Sequence, residues 1–171
     1  MNRLIRVKSG GFRVGPRLRG GDWLEVDIQS LKQEGFSFIV SLLTAEENQE
    51  LDLVHEASLA IDQKLQFFSF PIVDRAVPSC REEFEKFTEE IHTLLQSGGR
   101  GYFHCRAGLG RAPLLGCAVL VLSGKEPEFA WAMIEKLRGH SVPDTAEQRA
   151  WIQAPSQKVS LDSLFSELND E

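Results

Sequence analysis

The stretch Gly101-Tyr102-Phe103-His104-Cys105-Arg106-Ala107-Gly108-Leu109-Gly110-Arg111-Ala112-Pro113 decides how the chain folds. Its aromatic start reads as the end of a buried strand, and the glycines at 108 and 110 mark a tight loop. Pro113 through Leu122 is almost wholly apolar and long enough for about three helical turns. Pro113 fits only the first turn of such a helix, where its missing N–H has no intrahelical partner to lose. The residues spell strand, loop and helix, with the loop wrapped over a helix N-terminus.

Each part of that bend suits a bound phosphate. Glycines let successive backbone N–H groups approach an anion, and the helix end adds partial positive charge. The N–H groups of Arg106, Ala107, Gly108, Leu109 and Gly110 are the expected cradle. Arg111 adds a planar fork that matches two phosphate oxygens. The same field favours a thiolate at Cys105, so anion site and nucleophile are one structure. That combination points to phosphoryl transfer onto sulfur.

Outward from the loop, helical and strand patterns alternate. Residues 3–7 and 12–14 read as a small edge hairpin around Ser9-Gly10-Gly11. Asp22 with Glu25 resembles a capping pair before a helix lined by Leu24, Ile28 and Leu31. Phe36 to Leu43 is a buried strand, and Thr44 with Glu47 caps a helix reaching Asp62. Leu65 to Ile72 is a third strand. Ser79 with Glu82 opens a helix striped by Phe84, Phe87, Ile91 and Leu94. Glu126 to Arg138 is amphipathic through Phe129, Met133, Ile134 and Leu137, and Thr145 begins a last core helix around Trp151. The pattern predicts an α/β fold: one domain over 1–171, its mainly parallel sheet covered by helices on both faces. Residues 1–21 form the edge hairpin and turn, and 155–171 an acidic tail.

At 171 residues and 42% hydrophobic content, the chain is long enough to bury an ordinary core. Its net charge of −6 is uneven. Arg3, Arg6, Lys8, Arg13, Arg17 and Arg19 all precede the first acid, Asp22. That basic edge is either a solvated surface or, at Arg17 and Arg19, a guide for phosphorylated substrates. The acidic remainder argues against nucleic acid as a partner. No apolar run is long enough to span a bilayer, and no signal-like segment opens the chain. Cys80, Cys105 and Cys117 lack the spacing of a metal site, so neither metal nor cofactor is expected. A nucleophilic thiol suits a reducing compartment, hence the cytoplasm. Oligomeric state is not legible.

His104-Cys105-x-x-Gly108-x-x-Arg111 resembles the signature loop of the cysteine-based protein tyrosine phosphatases. Ala107-Gly108-Leu109-Gly110-Arg111-Ala112-Pro113 is similar to that of the phosphatases of regenerating liver, a branch of the dual-specificity group. The resemblance implies that Cys105 attacks phosphorus, that Arg111 binds the phosphoryl oxygens, and that His104 orders the loop. Phe70-Pro71-Ile72-Val73-Asp74-Arg75-Ala76-Val77-Pro78 resembles the acid loop of that group, making Asp74 the proton donor to the leaving oxygen. Gln148 has two readings: the N3 partner of Thr145 in a capping box, or a water-orienting residue as in some relatives. Cys80 resembles the partner cysteine that protects the nucleophile in the regenerating-liver branch.

Ala112 departs from the wider family, which carries Ser or Thr there, and implies slow turnover. Leu109 stands where lipid-directed relatives often have Lys. No prenylation box or polybasic run closes the sequence, so no membrane anchor is expected. The expected function is hydrolysis of phosphomonoesters, on a phosphorylated protein or a small phosphomonoester, through phosphocysteine. The alternatives are a catalytically feeble phosphate-binding module of the same fold, and sulfur transfer on a rhodanese-like loop.

Overall fold

A computed structural model describes residues 4–153; the acidic tail lies outside them. Five strands form one sheet in the order β1-β2-β5-β3-β4: β1 Ile5–Val7, β2 Gly10–Gly15, β3 Phe38–Ser41, β4 Gln66–Ser69 and β5 Arg100–His104. β1 runs antiparallel to β2, and the remaining pairs are parallel. The α/β arrangement expected from the alternating pattern is therefore present.

The register explains where function gathers. Gly15 pairs with His104, His104 with Ser41, and Ser41 with Ser69, so four parallel strands end at one level. The loops that follow them converge beyond their carboxyl ends, the usual crevice of such sheets.

Seven α-helices cover the sheet among the described residues: α1 Leu24–Gln33, α2 Ala45–Glu50, α3 Glu56–Asp62, α4 Arg81–Gln96, α5 Arg111–Leu122, α6 Pro127–Arg138 and α7 Ala146–Gln153. One core packs Phe12, Phe38 and Phe103 against α4, α5 and α6, with Phe12 and Phe103 stacked at 4.8 Å. The other packs Ile39 and Tyr102 against α1 and α3. α5 is apolar almost all round because it is buried almost all round. No helix among the described residues is long and apolar enough to cross a membrane.

Several local expectations are corrected. The hairpin turns at Lys8–Ser9, while Gly10 and Gly11 belong to β2, an interior strand. A Cβ at Gly10 would collide with the carbonyl oxygens of Leu95 and Gly99. Asp22 lies in a 3-10 turn, and α1 starts without a side-chain cap. Ser79 is likewise no cap, because Cys80 holds the position preceding α4. Buried positions of α4 are Phe84, Thr88, Ile91 and Leu95, with Phe87 and Leu94 at the flanks. In α6, Ala130, Trp131 and Ile134 face inward, while Phe129 and Leu137 are exposed.

The largest correction concerns Thr44 to Asp62, which is two helices. Thr44 does cap α2, accepting from Glu47 N–H at 3.3 Å while Glu47 Oε2 accepts from Thr44 N–H at 3.0 Å. The chain then breaks at Asp52, whose φ of +56° no α-helix accommodates, and restarts as α3.

Candidate active site

Arg111 is the first residue of α5 and is 1% exposed. Its Nη1 donates to Glu47 Oε2 at 2.6 Å and to the Ile72 carbonyl at 2.8 Å. Its Nη2 donates to Glu47 Oε1 at 2.9 Å and to Asp74 Oδ1 at 2.8 Å. Glu47 thus holds the guanidinium with both oxygens, while Ile72 and Asp74 approach from the loop after β4. The remaining donor, Nε–H, bonds nothing among the described residues. Burial works against the Glu47 charge, but the bonds from Arg111 and the Thr44 N–H outweigh it and lower its carboxyl to about 2.

The loop from Cys105 to Gly110 is pinned from outside. The Arg106 carbonyl accepts from Arg17 N–H at 3.1 Å. The carbonyls of Ala107 and Gly108 accept from Arg138 Nη2 and Nε at 3.1 and 3.0 Å. In a trans peptide the N–H points opposite its carbonyl. Pinning three carbonyls outward therefore turns the N–H groups of Ala107, Gly108 and Leu109 to the loop's other side. Gly108 has φ +71° and lies so close to Gly15 and Pro16 that no side chain fits. The Tyr102 hydroxyl donates to Pro16 O at 2.7 Å, and burial pushes it up to about 12, so it remains a donor.

Cys105 directly follows β5 as a buried free thiol. Beside it His104 is wholly buried, with Nε2 2.7 Å from Oε1 of the buried Glu56. Cys117 is buried in α5, where burial pushes its thiol up to about 12, as suits a core position. Cys80 is a half-buried free thiol at the start of α4.

Asp74 is half-exposed and held by Arg111. Its neighbour Arg75, at φ +62°, pairs with Asp144 at 2.9 Å and so ties the acid loop to the segment before α7. Gln148 meets the first of its two readings, the capping box. Its Oε1 accepts from Thr145 N–H at 3.2 Å, and its N–H donates to Thr145 Oγ1 at 3.1 Å, completing a capping box. Its Nε2 donates to the Ala76 carbonyl at 3.0 Å, and the side chain lies against Gly110, where a Cβ would crowd it. The cap itself carries Gln148 to the loop. Ala112 is buried and Leu109 packs against the core.

Four participants escaped the sequence reading. Glu47 was legible only as a cap, although its side chain also holds Arg111. Glu56 and Arg138 carried no local signal. The Arg106 side chain, which no sequence signal singled out, reaches Glu47 at 3.3 Å and Glu50 at 2.8 Å. On the basic edge, Arg19 is occupied by Asp27.

Residues 19–125 match the family described as "Polymorphic toxin system, DSP-PTPase phosphatase". The chain belongs to this dual-specificity phosphatase family. Over 167 residues it is 28% identical to 197R of Invertebrate iridescent virus 6, which bears a tyrosine phosphatase name; 94% of this chain and 59% of that protein align. It is 25% identical over 138 residues to cyclin-dependent kinase inhibitor 3 of Mus musculus, covering 80% and 65%. The chain spans between 57% and 65% of the length of the curated relatives it matches. Among solved structures, kinase-associated phosphatase with serine replacing its catalytic-site cysteine superposes at TM-score 0.74 and 23% identity, covering 83% and 82%. PTPMT1 in complex with PI(5)P superposes at 0.69 and 17%, covering 87% and 91%. These likenesses establish the dual-specificity phosphatase fold.

Proposed function

We propose that the chain hydrolyses phosphomonoesters through a phosphocysteine, acting on phosphotyrosine and on phosphoserine or phosphothreonine of proteins. The observation that carries this reading is the shared Arg111, whose Nη2 is held by Asp74 while Nε stays open. A phosphate arriving at the loop takes Nε and Nη2 with two oxygens and displaces Asp74. The Cys105 thiolate attacks phosphorus, and the inward N–H groups with Arg111 hold the developing charge. Asp74, freed from Arg111 and carrying a proton taken up from solvent, gives that proton to the leaving oxygen. It then takes a proton from the water that cleaves the phosphorus–sulfur bond, and Gln148, whose side chain lies against Gly110, orients that water. No step calls for a metal or cofactor, and the free thiol suits the cytoplasm.

Ala112 offers no hydroxyl to the departing thiolate. A lost hydrogen bond to a charged group costs about 1.5–3 kcal/mol. Breakdown of phosphocysteine is therefore the slow step. Ala112→Ser should speed steady-state turnover roughly tenfold or more, and an unchanged rate would remove this account of Ala112.

Rapid mixing with an aryl phosphate, against Cys105→Ser as blank, tests the whole reading. A stoichiometric burst followed by slow, Cys105-dependent turnover is expected. Two observations favour the second reading, a phosphate-binding module: Ala112, and the four Arg111 bonds already made to Glu47, Ile72 and Asp74. Phosphopeptide retained without aryl release would select it.

A further inference from the structure

We propose that Asp144 is a positioning residue for the acid loop: through Arg75 it keeps Asp74 at the site while substrate occupies Arg111. The proposal rests on Asp74 being the proton donor. Its ground is how the loop is held. Up to Ile72 the loop belongs to the sheet, since Phe70 N–H donates to the Ser41 carbonyl and Ile72 N–H to the Leu42 carbonyl. Beyond Ile72 it is tied by side chains. Arg111 holds Asp74, Asp144 holds Arg75 at 2.9 Å, and Gln148 holds the Ala76 carbonyl at 3.0 Å.

An incoming phosphate removes the first of these ties, because it takes Arg111 Nη2 from Asp74. The carboxyl group then has to stay near the leaving oxygen without the contact that placed it. The two surviving ties lead to the start of α7. Asp144 stands between the two loops: Oδ2 accepts from Arg75, and a Cβ on Gly110 would come within 3.1 Å of the Asp144 Cβ. Arg75 has φ +62°, a conformation that an ordinary residue keeps only when its surroundings hold it there. Ala76 N–H closes a turn onto the Val73 carbonyl at 2.9 Å around Asp74 and Arg75, so the two move together. Without Asp144, Arg75 relaxes and carries Asp74 away from the leaving oxygen.

Leaving groups separate this role from a general loss of fit. Phenoxide departs with the proton of Asp74 as the phosphorus–oxygen bond breaks, whereas dinitrophenoxide departs without one. Rapid mixing gives the burst rate for each aryl phosphate. In Asp144→Asn the phenyl rate relative to the dinitrophenyl rate should fall roughly fivefold, the scale of one exposed ion pair. Arg75→Ala should give the same fall, the double variant no more than either single one, and Asp144→Glu should recover part of it. An unchanged ratio overturns the proposal; if both rates fall together, Asp144 acts on Gly110 and the phosphate loop instead. A readout free of turnover is nitrogen NMR relaxation of the amides from Val73 to Ala76, with the chain saturated by inorganic phosphate. They should be as rigid as those of β4 in the wild type and mobile in Asp144→Asn. Mobile amides in the phosphate-bound wild type, or amides unchanged in the variant, overturn the proposal. Rigid amides that loosen in the variant, with no aryl release from the wild type, uphold the holding role and sink only the hydrolysis reading. Should Asp144→Asn not fold, Arg75→Ala, at an exposed side chain, decides alone.

Discussion

α2 ends at Glu50 and α3 begins at Glu56, and each helix buries one carboxylate, Glu47 on Arg111 and Glu56 on His104. Around Glu47 everything is satisfied. Both oxygens meet Arg111, Oε2 also serves the Thr44 cap, and Oε1 takes Arg106. Around Glu56 one oxygen is bare and α3 has no side-chain cap. One region is built for rigidity, with both carboxylate oxygens matched. The other buries a carboxyl group with one oxygen unmatched among the described residues. Evenly shared burial can thus hide two different settings.

The comparison breaks most visibly at Glu47. Removing one member of a buried ion pair costs on the order of 3 kcal/mol, so Glu47→Gln should lose about that in denaturant unfolding. Its kcat/KM should fall with it, because Arg111 is no longer aimed. Stability unchanged within about 0.5 kcal/mol would mean that Asp74 and Ile72 suffice to hold Arg111.

Acid sharpens the contrast. The Glu47 carboxyl is lowered from 4.5 to about 2, so its stabilisation is complete above pH 4.5. It drains away as pH falls through that window toward 2, where the folded protein at last takes up the proton. A pH series of wild type against Glu47→Gln should converge between those limits. Parallel curves would put the acid sensitivity elsewhere. The smallest effect is local: Thr44→Ala removes the α2 cap for about 1 kcal/mol, seen as an earlier thermal midpoint. No shift would mean that the Arg111 pair alone holds α2.

The loop, its strand and its apolar helix were legible because short-range rules govern them: glycine spacing, a proline limited to the first turn, and a ten-residue apolar run. Asp74 was legible as the one carboxyl following a strand. Thr44 with Glu47 was read correctly as a capping box, and the same geometry carries Glu47 to Arg111. What escaped depends on contacts distant in sequence. The break at Asp52 is a left-handed residue of ordinary type, which composition does not announce. Glu56 lies 48 positions from His104, and Arg138 lies 30 from Gly108. Their partners exist only once β3, β5 and the helices are assembled. Register along α4 and α6 slipped for a related reason: large side chains at several phases compete for one core, and packing chooses among them.

Two of the three carbonyls that aim the loop are held from Arg138, in the last turn of α6. The ribosome therefore delivers Cys105 well before the arginine that orients its surroundings. A nascent chain halted before α6 carries the thiol and Arg111 but only the Arg17 clasp on its backbone. The loop's final shape comes into being late, at the docking of α6.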